Sequence, residues 1–312
     1  MNVYAGIDLG GTFIKGGVVN DSGEILDMEQ IPTEAEGGPA HVIDRIAMLV
    51  KKLSSASRKN PLAGVGVGVP GQVITDKGLL VEAPNLPCWE NIFVAEELEA
   101  RLHLPAYLGN DANVAALGEF WYGAGQGSTH MLMVTLGTGV GGGLILNGKI
   151  FRGASGGAGE FGHMVISRDG ARCTCGRRGC VEAYVGTAGI MRALKEGLDS
   201  DESSPLADRD FSTLTPRDIS EAAGKGDKTA AAVLANAGAW LGVGIGSVAN
   251  LLNIDRVVVG GGVAAAGHLL LEPAAEKCRE TALKVSYSDL TIVPAALGNR
   301  AGLAGAARLA MV

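Results

Sequence analysis

Residues 2–19 read NVYAGIDLGGTFIKGGVV. The run up to Asp8 favours extended backbone, Gly10 and Gly11 bare the main chain at a tip that ends in Thr12, and residues 13–19 return as a second strand. A turn at residues 20–23 leads into a third strand that runs through Gln30. Val42, Ile46, Leu49 and Leu53 then recur at helical spacing between the Gly37-Gly38-Pro39 break and a polar stop at residues 54–60. A buried strand over 62–69, a helix near 94–102 and a short strand at 106–108 complete the order βββαβαβ. That order predicts an α/β fold in which helices cover a mixed sheet.

The second half starts in the same way. Residues 131–136 predict a strand, 137–143 a glycine tip and 144–146 a returning strand, so that VTLGTG echoes IDLGGT. An internal repeat of this kind predicts two similar halves facing one another across a cleft, with both glycine tips at one nucleotide.

The first tip carries more than a turn requires. Exposed amides at Gly10 and Gly11 and the Thr12 hydroxyl can bind phosphate oxygens, Asp8 is placed to hold a magnesium ion or its waters, and Lys15 follows on the returning strand. A plain hairpin would need the glycines but not the aspartate. Two windows, Gly66/Gly68/Gly71 and Gly137/Gly139/Gly142, match Gly-x-Gly-x-x-Gly. A dinucleotide fingerprint must open a helix, and neither does: the first ends in Val69-Pro70-Gly71 and an extended segment, the second enters a strand. A third cluster, Gly260-Gly261-Gly262 after Val257-Val258-Val259, offers a flat surface that could admit an adenine ring or a ribose; a tight strand-to-helix turn reads the same way.

His163, Cys173, Cys175 and Cys180 form a His-x9-Cys-x-Cys-x4-Cys array, the donor set of a closed tetrahedral zinc site that holds loops in place. Core cysteines, or a disulfide with one thiol left over, are the plainer readings. The Gly176-Arg177-Arg178-Gly179 turn suits a metal loop better than a core, and Arg172, Arg177 and Arg178 would offset thiolate charge. Glu160 and Glu182 bracket the array, which points to a polar pocket for a hydroxyl-rich ligand. Cys88 and Cys278 are isolated and read as structural.

Of the 312 residues, 47% are apolar, which is ample for two cores, and the 48 glycines show no collagen period. A net charge of -7 argues against nonspecific binding to nucleic acid or to an anionic membrane, but leaves a phosphorylated small molecule open. Residues 229–254 contain no charged side chain. A membrane span would read that way, but Asn236, Asn250 and Asn253, with Gly238, Gly242 and Gly246 four apart, fit a buried helix that runs into a strand at 256–259. With no leader peptide evident, a reducing cytoplasm is the expected compartment.

Gly109-Asn110-Asp111-Ala112-Asn113 ends a strand and opens an apolar, helix-like run over 114–121. Asp111 could simply cap that helix. At the end of a strand on the edge of the expected cleft, it could instead accept a proton from a sugar hydroxyl that attacks a phosphoryl group.

These motifs together resemble the ROK sugar kinases, within the actin, sugar kinase and Hsp70 superfamily, and among them the bacterial glucokinases. The likeness runs through residues 8–12, 109–113, 137–143, 160–163, 173–182 and 260–262. It implies a two-domain actin/hexokinase/Hsp70-like, ribonuclease H-like fold with a nucleotide and sugar cleft between the domains. One domain would be residues 1–114 with a C-terminal helix at 298–312 packing back on it; the other would be 115–297 with the zinc loop.

By the same resemblance the activity is transfer of the ATP γ-phosphate to the 6-hydroxyl of glucose, with ATP, Mg2+ and structural Zn2+ as cofactors. Asp111 would be the base. Asn110, Asp111, Glu160, His163 and Glu182 would hydrogen-bond the sugar, and Gly71 and Asn85 would line its site. Asp8, Gly10, Gly11, Thr12, Lys15, Thr138, Gly139, Gly261 and Gly262 would hold the nucleotide, and His163, Cys173, Cys175 and Cys180 the zinc. A homo-oligomer, dimer or tetramer, is expected, with no nucleic-acid or membrane partner. N-acetylglucosamine, N-acetylmannosamine, mannose or fructose would be the alternative acceptors and polyphosphate an alternative donor. Sugar-responsive repressors of the same family carry a helix-turn-helix ahead of the kinase-like region, for which a tip starting at Asp8 leaves no room.

Overall fold

The computed structural model describes residues 2–56, 60–83, 86–201 and 203–311. In chain order its elements are β1 (Val3–Leu9), β2 (Phe13–Asn20), β3 (Ile25–Pro32), α1 (Gly38–Ala56), β4 (Leu62–Val69), β5 (Gln72–Ile74), β6 (Leu79–Glu82), β7 (Glu90–Phe93), α2 (Val94–Leu102), β8 (Ala106–Asn110) and α3 (Asp111–Tyr122). There follow β9 (Met131–Leu136), β10 (Val140–Leu146), β11 (Lys149–Ile150), α4 (Glu182–Val185), α5 (Thr187–Ser200), α6 (Pro216–Gly224), α7 (Lys228–Leu252), β12 (Arg256–Gly260), α8 (His268–Thr281), α9 (Lys284–Tyr287), β13 (Thr291–Pro294) and α10 (Ala301–Leu309).

The internal echo in the sequence becomes a repeat of topology. One five-stranded sheet has the order β3-β2-β1-β4-β8 and the other β11-β10-β9-β12-β13, so each places its first three strands as third-second-first and then adds two more. In the first sheet β1 pairs antiparallel with β2 and parallel with β4, which pairs parallel with β8. In the second, β12 runs parallel to both β9 and β13. The strand after the second tip begins at Val140, six residues from its end and earlier than the sequence predicts, because glycines 141–143 adopt extended backbone as readily as a tip.

Two compact units result: Met1–Gly127 with Gly143–Gly159 and Ala296–Val312, and Ser128–Gly142 with Glu160–Ala295. In the first unit Ile7, Ile14, Ile46, Leu49 and Leu108 are buried in one cluster between sheet and helix, consistent with the helical spacing of α1. The C-terminal helix α10 lies so close to the sheet that a Cβ at Gly6 would stand 2.1 Å from Leu303 O, and one at Gly66 1.8 Å from Ala306 O. Close backbone approach of this kind accounts for part of the glycine excess. The small sheet β5-β6-β7 was not legible beforehand, because its strands are only three or four residues long.

In the second unit α7 is long and apolar enough to cross a membrane by composition. It is a core helix here: a Cβ at Gly238 would stand 2.3 Å from Leu270 O and one at Gly242 2.3 Å from Ala274 O, so the glycine stripe is filled by α8. The buried-helix reading of residues 229–254 therefore holds.

Candidate functional site

In the first unit the register sets Asp8, Gly68 and Gly109 in one row across β1, β4 and β8. The carboxylate of Asp8 and the start of α3 thus share one end of the sheet, two strands or about 10 Å apart. The cap of α3 is Asn110 and not Asp111. Asn110 Oδ1 accepts the N–H groups of Ala112 and Asn113 at 3.0 and 3.1 Å, while its Nδ2 donates to Gly71 O at 3.0 Å. Gly71 is held at φ 106, where a Cβ would also strike Glu82 O at 2.1 Å, so glycine is required.

Asp111, relieved of capping, is the first residue of α3, and its Oδ1 accepts Ala112 N–H at 2.8 Å. Solvent reaches its side chain, yet protein crowds round it on most sides. That loss of bulk hydration is the main reason its pKa rises to about 6; the negative charge of Asp8 adds to the rise, and the hydrogen bonds from Ala112 and Asn110 oppose it. Burial also raises the pKa of Asp8, against the opposing charge of Lys15, whose Nζ lies 3.6 Å from Asp8 Oδ2.

The first tip is braced by a residue that the sequence did not single out. Fully buried Thr33 donates its hydroxyl to Gly10 O at 2.7 Å and its N–H to Thr12 O at 2.9 Å, leaving Gly11 and Thr12 exposed. The second tip has a matching brace. Thr187 donates its hydroxyl to Gly137 O at 2.8 Å and its N–H to the same oxygen at 3.1 Å. Thr138 and Gly139 are exposed. Gly261, at φ 90, packs where a Cβ would stand 2.2 Å from Leu136 O, so the third glycine cluster lies beside the second tip.

The second unit also holds the metal candidates. One ligand atom from each of His163, Cys173, Cys175 and Cys180 lies within 4.8 Å of every other. Cys175 Sγ is 3.8 Å from Cys180 Sγ, and His163 Nδ1 is 3.8 Å from Cys173 Sγ. Donors about 2.3 Å from a tetrahedral zinc ion stand about 3.8 Å apart, so donor set and spacing both fit zinc. With Nδ1 turned to the cluster, His163 keeps Nε2 for another partner.

Glu182 is 9% exposed, and its oxygens are engaged. Oε2 accepts Val140 N–H at 2.9 Å, and Oε1 accepts the Thr174 hydroxyl at 2.5 Å and the Cys173 thiol at 3.3 Å. Burial pushes its carboxyl up, but these hydrogen bonds outweigh burial and hold it below the usual carboxylate range. Glu160 is exposed ahead of the short turn Phe161–His163. Asn85 lies outside the described residues.

A sequence profile of the ROK family matches residues 4–312. The chain belongs to the ROK family. A glucokinase of Halalkalibacterium halodurans is 42% identical over 97% of this chain and 93% of its own. A glucokinase of Thermotoga maritima is 34% identical over 97% of this chain and 96% of its own. Among solved structures, a ROK family glucokinase from Streptomyces griseus, in complex with glucose and AMPPNP, has a TM-score of 0.84 at 35% identity, with 99% of each chain covered. The ROK chain accordingly has the actin- and hexokinase-like α/β fold of those sugar kinases.

Proposed function

We propose that this ROK protein is an ATP-dependent glucokinase in which Asp111 is the general base. The single observation that carries the reading is Asp111 itself. It starts a helix at the end of a sheet without capping it, and its pKa of about 6 matches the task of taking a proton near neutral pH. The relatives named glucokinase, aligned over nearly the whole chain, supply the reaction and the acceptor.

In this mechanism the ionised Asp111 carboxylate accepts the proton of the glucose 6-hydroxyl as that oxygen forms its bond to the γ-phosphorus. The bond from phosphorus to the β–γ bridging oxygen breaks, and ADP departs with the electron pair. Gly10, Gly11, Thr12, Lys15, Thr138, Gly139, Gly261 and Gly262 bind the nucleotide, with exposed backbone offered at Gly11, Thr12, Thr138 and Gly139, while Gly10 N–H is held by Phe13 O and shapes the tip. Asp8 is the residue that would hold magnesium, which neutralises phosphate charge when bound.

On the acceptor side, Asn110, Asp111, Glu160, His163 and Glu182 bind the sugar hydroxyls, and Gly71 lines their site. His163 gives Nδ1 to zinc and Nε2 to the sugar, so a structural zinc on His163, Cys173, Cys175 and Cys180 would fix the loop that carries these ligands. The setting is the cytoplasm, and the working form is a homo-oligomer.

The test is a coupled assay with magnesium ATP and glucose, N-acetylglucosamine, N-acetylmannosamine, mannose and fructose, repeated with polyphosphate as donor. Glucose should give the highest kcat/KM with ATP. A higher kcat/KM on another hexose would reassign the acceptor, and absence of transfer to all five would end the kinase reading.

A further inference from the structure

The second glycine tip has no side chain of its own at Gly137 or Gly139 with which to fix its backbone. It is held at its two ends by different parts of the second unit. Gly137 O takes both the N–H and the hydroxyl of Thr187. Val140 N–H goes instead to Glu182 Oε2 at 2.9 Å, and this contact is close enough that a Cβ at Gly139 would come within 2.6 Å of the same oxygen. The other oxygen of Glu182 takes the Thr174 hydroxyl at 2.5 Å. Thr174 stands between Cys173 and Cys175, two of the four clustered metal-ligand candidates, so its backbone is set by whatever sets theirs.

We propose that Glu182, beyond the sugar contact assigned to it above, ties the second glycine tip to the metal knot through Thr174, so that zinc in the knot strengthens nucleotide binding. The inference rests on the reading of that tip as nucleotide-binding. A carboxylate suits the task because it can accept from both directions at once, one oxygen for each. Glu182 is 9% exposed, so water competes little for its buried bond from Val140 N–H, and the bond from Thr174 is partly shielded. Gly186 closes the arrangement: a Cβ there would stand 3.2 Å from Glu182 Cγ and 3.5 Å from Thr138 O, which presses helix start, carboxylate and tip together. If the knot loosens, Thr174 swings, Glu182 Oε1 loses that anchor, and the Val140 amide is no longer presented in one orientation.

The variant that isolates the tie is Thr174→Val, which keeps shape and removes the hydroxyl at an exposed position. Zinc content, binding of a nonhydrolysable ATP analogue and binding of glucose are measured by metal analysis and calorimetry on the full chain, with Thr174→Ser as the conservative control. T174V should retain zinc and bind the analogue about 3–10-fold more weakly, the effect of one shielded hydrogen bond to a carboxylate, with a smaller loss for glucose. T174S should bind like wild type, and wild-type protein stripped of zinc should lose analogue affinity at least as far as T174V.

Unchanged analogue binding by T174V, a loss confined to glucose, loss of zinc from T174V, or a T174S as weak as T174V would each overturn the tie. Failure of the zinc-loaded wild type to bind the analogue would instead overturn the nucleotide reading of the tip.

Discussion

Asn110 and Asp111 divide the start of α3 between them: Asn110 Oδ1 closes the two orphan amides of Ala112 and Asn113, and Asp111 Oδ1 shares the Ala112 N–H without reaching that of Asn113. An aspartate at a helix start ordinarily spends its carboxylate on the cap, where the donated hydrogen bonds and the helix dipole lower its pKa. Here the neighbour does that work, and desolvation wins at Asp111.

The first consequence is a pH profile. Asp111 must be ionised to accept a proton, and its pKa is raised to about 6, so kcat/KM should fall tenfold per unit below pH 6 and level off above about pH 7. Asp8→Asn removes one of the causes of the rise. In that variant the residual activity should show the acid limb shifted to lower pH, by less than the whole elevation because desolvation is the larger cause. A limb that stays near pH 4 in the unmodified enzyme would dissociate Asp111 from the proton transfer.

Asp111→Ala should lower kcat by about a hundred- to ten-thousand-fold while glucose binding, read by calorimetry, stays within a few-fold of wild type. Asp111→Asn has a second signature in stability. A carboxyl whose folded pKa is raised favours the fold while protonated and loses that advantage as pH rises through about 6. The amide variant should therefore melt slightly above wild type at pH 8, and the gap should close below about pH 4. Solvent access to the side chain keeps the effect small.

Part of this site could be read from the chain alone, because it is local. The His-x9-Cys-x-Cys-x4-Cys spacing brings four donors to one place without help from distant sequence, and the Gly-Gly-Thr tip between two strands folds on itself. The doubled sheet order also follows from the repeated strand-tip-strand pattern. What escaped is non-local. Thr33 braces a tip more than twenty residues upstream, and Thr187 one fifty residues upstream. Neither hydroxyl stands out in sequence, since a buried threonine and a surface threonine look alike until the partner carbonyl is known. Which member of Asn110-Asp111 caps α3 is not legible for a related reason: both residue types cap well, and only the strand end decides which one is placed to do so.

Metal removal should act on the second unit. The protein as purified should carry about one zinc per chain, and Cys175→Ser or a strong chelator should lower its melting temperature by roughly 5–10 °C and weaken glucose binding in the same preparation. Metal-free protein with unaltered glucose affinity would separate the knot from the proposed sugar ligands Glu160, His163 and Glu182.

The last prediction concerns Glu119, a lone charge in the apolar run of α3 that an inspection of sequence would send to the surface. It is completely buried, and three backbone amides take up its carboxylate: Ala124 N–H and Ala296 N–H at 2.8 and 3.1 Å on Oε2, and Leu297 N–H at 2.8 Å on Oε1. Those amides belong to the segment after α3 and to the segment before α10, so one side chain joins the end of its own helix to residues 177 and 178 positions further along the chain. Glu119→Gln is close to isosteric but keeps only one accepting oxygen, and its NH2 group would face the N–H of Leu297 or of Ala296. Leaving a buried donor unmatched costs about 1–3 kcal/mol. Glu119→Gln should accordingly unfold at a measurably lower denaturant midpoint, and Glu119→Ala, which removes both accepting oxygens, at a lower one still. Equal midpoints for Glu119→Gln and wild type would mean that water replaces the lost oxygen and that the carboxylate is dispensable for joining the two segments.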